Sequence, residues 1–201
     1  MISLAVTAPG VHNITTNNIV LMISKTLQFH YCCIGLFFFF SSATAQEWIT
    51  PAIEGYGPII AVDTPSGAPN KAQSYTMIYD LVAGEKKDGV NFGLWKMARM
   101  INLLHQGKVS QKQIKMVGVI HGKATDIMLN DTAYRAKHQK PNPNRDLIER
   151  LANYGVQFYF CKQGATKRGY TNAMALPQIQ PAVSAMTVIA NYQLKGYVLM
   201  P

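Results

Sequence analysis

Four short runs of almost wholly apolar residues constrain this chain more than any other feature. They are Tyr75 to Val82, Met116 to Ile120, Val156 to Phe160 and Tyr197 to Met200. A strand with one wet face alternates polar and apolar residues, whereas a strand covered on both faces does not need to. Between the runs, apolar residues recur at helical spacing: Leu94, Trp95, Ala98, Ile101 and Leu104, then Leu147, Ile148 and Leu151, then Val183, Met186, Ile189 and Ala190. Helices alternating with strands of this kind predict an α/β fold, a single doubly wound domain with a mostly parallel sheet and helices on both faces.

The punctuation places the elements. Asp88 or Asn91 can cap the first helix, and Gly107 lies past its end. Asn142-Pro143 puts a capping side chain ahead of a proline at the first helical position, and Gly155 ends that helix. Ala124 to Leu129 and Thr132 to His138 read as short helical turns, Lys86-Lys87 as a turn, and Gly164 to Gly169 as a loop. Pro181 is expected to open the last helix and Gly196 to close it. Residues 46–73 hold four prolines and three glycines with one apolar run, Ile59 to Val62, and read as an N-terminal arm outside the core.

The first 45 residues contain no acid and only one Lys. Starting from Met22, Lys25 is a positive n-region, Cys32 to Phe40 an apolar h-region, and Ala43-Thr44-Ala45 a cleavage site, the three parts of a secretory signal peptide. The apolar run is shorter than the roughly 20 residues of a membrane-spanning helix. Residues 1–21 fit no signal template, so Met22 is the expected start. On this reading the protein is exported, periplasmic or secreted, with no stable membrane anchor after processing. Cleavage after Ala45 leaves 156 residues and takes the net charge from +9 to +8, since one Lys and no acid are removed.

Processing also removes Cys32 and Cys33 and leaves Cys161 alone, which excludes an intramolecular disulfide. A lone cysteine in an oxidising compartment is either an inert core residue or a reactive thiol. Walker, G-x-G-x-x-G, H-E-x-x-H, G-x-S-x-G and C-x-x-C motifs are all absent. In an open parallel sheet, ligands bind beyond the carboxyl ends of the strands. Two chemically capable residues end strands here: Cys161 closes the third run, and His121, a supporting candidate, closes the second. Lys162, Lys167 and Arg168 follow the cysteine and are candidate anion-binding residues, since nearby cations favour a thiolate. A metal set of His121, Asp126, His138 and Cys161 has no close ligand spacing, so neither a metal nor a cofactor is expected. The basic residues are not interleaved with aromatics, so nucleic acid is not an expected partner.

Lys115 to Gly122, Asn142-Pro143-Asn144 leading to Leu151, Gly155 to Cys161, and Pro181 to Thr187 running on to Gln193-Leu194-Lys195-Gly196-Tyr197 together resemble the DsrE/DsrF-like family, over residues 74–201. The resemblance implies a small α/β domain that assembles into trimers or hexamers. It also implies sulfur-relay chemistry through a persulfide on the cysteine after the third strand, here Cys161. Many members carry Gly after that cysteine where this chain has Lys162, and relay members are cytoplasmic. Two functions follow. One is a cysteine-based sulfur carrier or sulfurtransferase that exchanges sulfur with a donor or acceptor protein or a small anionic sulfur compound. The other is a non-catalytic oligomeric module that binds a small ligand and keeps Cys161 inert. Lys162 to Tyr170 should be an exposed loop in the first case and a packed connection in the second.

Overall fold

A computed structural model describes residues 47–62 and 66–201. The expected signal peptide at 1–45, with its Met22 start, lies outside the described residues. Among the described residues, no helix is long and apolar enough to cross a membrane.

Two short strands, β1 (Trp48–Ile49) and β2 (Ile59–Ile60), pair antiparallel ahead of the main sheet. The sheet itself is built from β3 (Tyr75–Leu81), β6 (Ile114–Ile120), β7 (Gln157–Cys161), β8 (Ile179–Ala182) and β9 (Val198–Met200). Its order is β8-β7-β6-β3-β9, and every pairing is parallel. A two-residue hairpin, β4 (Lys86–Lys87) and β5 (Val90–Asn91), precedes α1 (Phe92–Gln106). A 3-10 stretch (Gly122–Met128) and α2 (Asp131–His138) follow β6, and α3 (Arg145–Tyr154) leads into β7. Two further helices, α4 (Lys162–Lys167) and α5 (Ala185–Leu194), follow β7 and β8.

The pleat divides the strand residues between two cores. Met77, Tyr79, Leu81, Met116, Ile120, Phe158 and Phe160 point to the side where Leu94, Ala98 and Ile101 of α1 and Leu147, Ile148 and Leu151 of α3 are buried. Ile78, Val117, Val119 and Cys161 point to the other side, against Ala185, Val188, Ile189 and Tyr192 of α5. Burial on both faces is what the unbroken apolar runs required, and β3, β6 and β7 show it; the fourth run differs, because β9 is an edge strand and leaves Val198 and Leu199 exposed. Gly118 belongs to the first face, where a Cβ would sit 2.8 Å from the Phe158 ring.

Several local expectations are corrected. Pro181 does not open a helix. It lies in β8 opposite Phe160, at the edge of the sheet, where a residue without an N–H is tolerated. The helix begins four residues later, with the Ser184 side chain accepting from Met186 N. Its inward residues are therefore Ala185, Val188 and Ile189, while Met186 and Ala190 face outward and Val183 lies exposed ahead of the helix. Of residues 164–169, only Arg168 and Gly169 form a turn, because α4 starts directly after Cys161 and runs to Lys167. Lys86-Lys87 is a strand, and the turn belongs to Asp88-Gly89, both at positive φ, as a two-residue hairpin demands. Asn142 lies ahead of the helix cap, which is Asn144, and its amide bonds other loops instead.

The segment read as an arm is docked on its own domain. Ile53 and Ile59 are buried, at 2% and 1% exposure. The fully buried Asn102 of α1 holds the bend before β2: its Oδ1 accepts from Ala52 N (3.0 Å) and Ile53 N (2.8 Å), and its Nδ2 donates to the Tyr56 and Gly57 carbonyls (2.9 and 3.0 Å). A polar residue on the buried face of a helix supplies the partners that the irregular segment lacks.

Candidate active site at the carboxyl edge of the sheet

The register brings the strand ends to one line. Leu81 opposes Ile120, Ile120 opposes Phe160, and Phe160 opposes Pro181. Cys161 follows Phe160 and His121 follows Ile120, so the two candidates end adjacent strands, which lie about 4.8 Å apart. By the alternation of the pleat, both belong to the face covered by α5.

The third member of this row is Asp80, one residue short of the end of β3. Its Oδ1 is paired with His121 Nε2, which draws the imidazole over β3, on the side of β6 away from β7. The His121 backbone N–H donates to Leu81 O (3.1 Å), which fixes the chain just beyond β6. Three adjacent parallel strands thus present a carboxylate, an imidazole and a thiol along one edge. Asp80 was not among the sequence candidates. Its signal was available as the one acid inside a largely apolar strand, one residue from the strand's carboxyl end.

Cys161 is free and 8% exposed, packed with Val119 and Ala185. It closes β7 and also stands as the cap residue of α4. Lys162, next in the chain, is exposed, as is Lys167 at the far end of α4. Arg168 is turned elsewhere: its guanidinium donates to the carbonyls of Gly122 (2.8 Å) and Gly164 (3.1 Å), tying α4 to the segment after His121. The stretch from Lys162 to Tyr170 is mainly exposed but anchored, with Ala165 buried and the Tyr170 hydroxyl donating to Asp126 (2.7 Å).

Asp126 is the centre of a separate cluster. It also receives Lys137 (3.0 Å) and lies 2.9 Å from His138 Nε2. Burial pushes its carboxyl up, and the hydrogen bonds from Tyr170, Lys137 and His138 outweigh this and hold it below the usual carboxylate range. The four residues weighed as a metal set therefore fall into three places, and among the described residues no three His, Cys, Asp or Glu side chains converge.

Comparison with known proteins bears on the fold. The DsrE/DsrF-like family profile matches residues 73–201. No curated protein matches the chain. A solved structure titled as a protein of unknown function, MTH1491 from Methanobacterium thermoautotrophicum, superposes with a TM-score of 0.50 at 13% identity, covering 63% of this chain and 97% of its own. The ychN protein from E. coli gives a TM-score of 0.40 at 17% identity, over 62% of this chain and 96% of its own.

Proposed function

Because this chain belongs to the DsrE/DsrF-like family, a family associated with sulfur relay, we propose that it is an exported, cysteine-based sulfur carrier acting through Cys161. The observation that carries the reading is that Cys161 closes β7 one strand away from His121, on the same face and carboxyl edge of the sheet as the Asp80–His121 pair. In the loading step, the Cys161 thiolate attacks the terminal sulfur of a polysulfide. A new S–S bond forms, the old one breaks, and the electron pair leaves with the shortened polysulfide. An acceptor thiolate then attacks the outer persulfide sulfur, and Cys161 departs as thiolate. In this proposal His121, paired with Asp80, exchanges the proton at this edge. Lys162 adds a positive charge beside the exchange.

Exposed apolar side chains support self-association into trimers or hexamers: Val183 just ahead of α5, and Met186 (79% exposed) and Leu194 (87%) on it. A scattering mass of one chain at micromolar concentration would refute assembly.

The burial of Cys161 against Val119 and Ala185 favours the second reading, a non-catalytic oligomeric module with an inert thiol. Mass spectrometry after polysulfide treatment separates the two. The carrier gains one sulfur atom on Cys161, and Cys161→Ser gains none while unfolding at nearly the same denaturant concentration. Absence of sulfur uptake in the folded wild type would leave the binding module.

A further inference from the structure

On the opposite face of the same sheet edge, three loops meet around a pocket of about 180 Å³ that no step of the sulfur chemistry uses. Its floor is built from buried asparagines. Asn144 Oδ1 accepts from Asn91 N (2.7 Å), and Asn144 Nδ2 donates to Asn142 Oδ1 (3.0 Å). Asn142 Nδ2 donates to the carbonyls of Ile127 and Leu129, and Asn91 Nδ2 to that of Ala83. The three amides lock the segments after β3, after β6 and before α3 into one rigid unit. A buried polar network of this kind is tolerated only when its members are satisfied, and it then fixes a single geometry.

The wall above this floor is basic. Lys86, Lys123 and Lys140 all line the pocket, together with His138 and Tyr134. Among the described residues, none of the three lysines is paired with a carboxylate. The one acid in the lining, Asp126, is already engaged by Lys137, His138 and Tyr170. The pocket therefore holds unspent positive charge over a preformed floor, at the edge where open α/β sheets take ligands. Its volume lies below the roughly 300–1,000 Å³ of sites for larger organic ligands, and charge of this sign excludes a cation.

We propose that this pocket binds a compact tetrahedral oxyanion, either free or as the head group of a small phosphomonoester. The lysines approach as point charges from three different segments, β4, the 3-10 stretch and the connection after α2, which suits an anion whose oxygens point in several directions.

Calorimetric titration of the full chain at constant ionic strength, with inorganic phosphate, sulfate and glycerol 3-phosphate as probes, tests it. Saturable one-to-one binding is expected, weakened about tenfold for each of Lys123→Ala and Lys140→Ala. The control Lys112→Ala/Lys115→Ala removes two positive charges, one more than either pocket variant, but away from the pocket, and it should bind as the wild type does. All four lysines are exposed, so the variants should keep the wild-type unfolding midpoint. Tighter binding of glycerol 3-phosphate than of phosphate identifies a head-group site, and the reverse a free-ion site. Cys161→Ser should bind unchanged, so this proposal and the sulfur-carrier reading fail separately. Non-saturable heats, or equal affinity in the pocket and control variants, would overturn it.

Discussion

Replacing Asn102 by Ala tests how the N-terminal segment is held. The side chain is fully buried and makes four hydrogen bonds to the backbone of residues 52–57, two as acceptor and two as donor. At about 1 kcal/mol net per bond, the loss is about 4 kcal/mol. The Ile53 N–H is buried, so leaving it without a partner adds to that figure. This is a large share of the roughly 5–15 kcal/mol that stabilises an ordinary domain. Urea unfolding of wild type and Asn102→Ala measures the difference, and native-state hydrogen exchange localises it. The Ala52 and Ile53 amides should exchange by local opening in the variant, well before the amides of β3 and β6. Asn102→Asp is a sharper control. It retains the acceptor for the two N–H groups but gives the Tyr56 and Gly57 carbonyls a carboxylate in place of a donor, so it should be no more stable than the alanine variant. A loss below about 1 kcal/mol with both amides still protected would refute the reasoning.

Gly57→Ala should destabilise by about 2 kcal/mol or more, because φ is +57° and the added Cβ would lie 2.3 Å from Arg99 N, a backbone atom that cannot swing away; a shift of less than half that in urea unfolding would contradict it. Since the Asp126 carboxyl is held below its ordinary value in the folded state, its contribution is complete above that value and is lost as pH falls through the folded one. Unfolding free energy should therefore drop more steeply on acidification in the wild type than in Asp126→Asn, and parallel curves would refute the linkage. Asp80→Asn should slow persulfide formation at Cys161 without lowering stability by more than about 1 kcal/mol, because the pair it breaks with His121 is partly exposed; an unchanged rate of sulfur uptake, followed by mass spectrometry, would remove His121 from the mechanism.

The strands that sit inside the sheet were legible because burial on both faces writes itself as an unbroken apolar run, as in Met116 to Ile120. The first helix was legible through its 3.6-residue spacing and the Asn91 cap. What escaped was set by tertiary context. β8 is an edge strand carrying Pro181, and proline reads as a helix start unless the edge position is known. The inward face of α5 could not be chosen from Val183, Met186, Ile189 and Ala190, because both sides of that helix are apolar. Docking of the N-terminal segment depends on Asn102, whose partners lie 45 to 50 positions away. At the site, Cys161 and His121 were found by their strand-end positions, while their adjacency needed the strand order. Asp80 was hidden because a carboxylate within an apolar run looks like a tolerated exception until its partner is seen.

The strand order has a consequence for how the chain is made. β3, β6, β7 and β8 are laid down side by side in the order of synthesis, each beside its predecessor, so this part of the sheet can grow as the polypeptide emerges. β9 breaks the sequence: it returns to the far flank of β3, where Thr76 Oγ1 donates to Gly196 O across 120 positions. Until that return, β3 carries an open flank of unpaired N–H and C=O groups, and Ile78 lacks the α5 layer that buries it. A nascent chain stalled before residue 185 would expose a ready template for strand addition. The slow step of folding is thus expected at the C-terminal helix and strand, whose arrival seals the sheet.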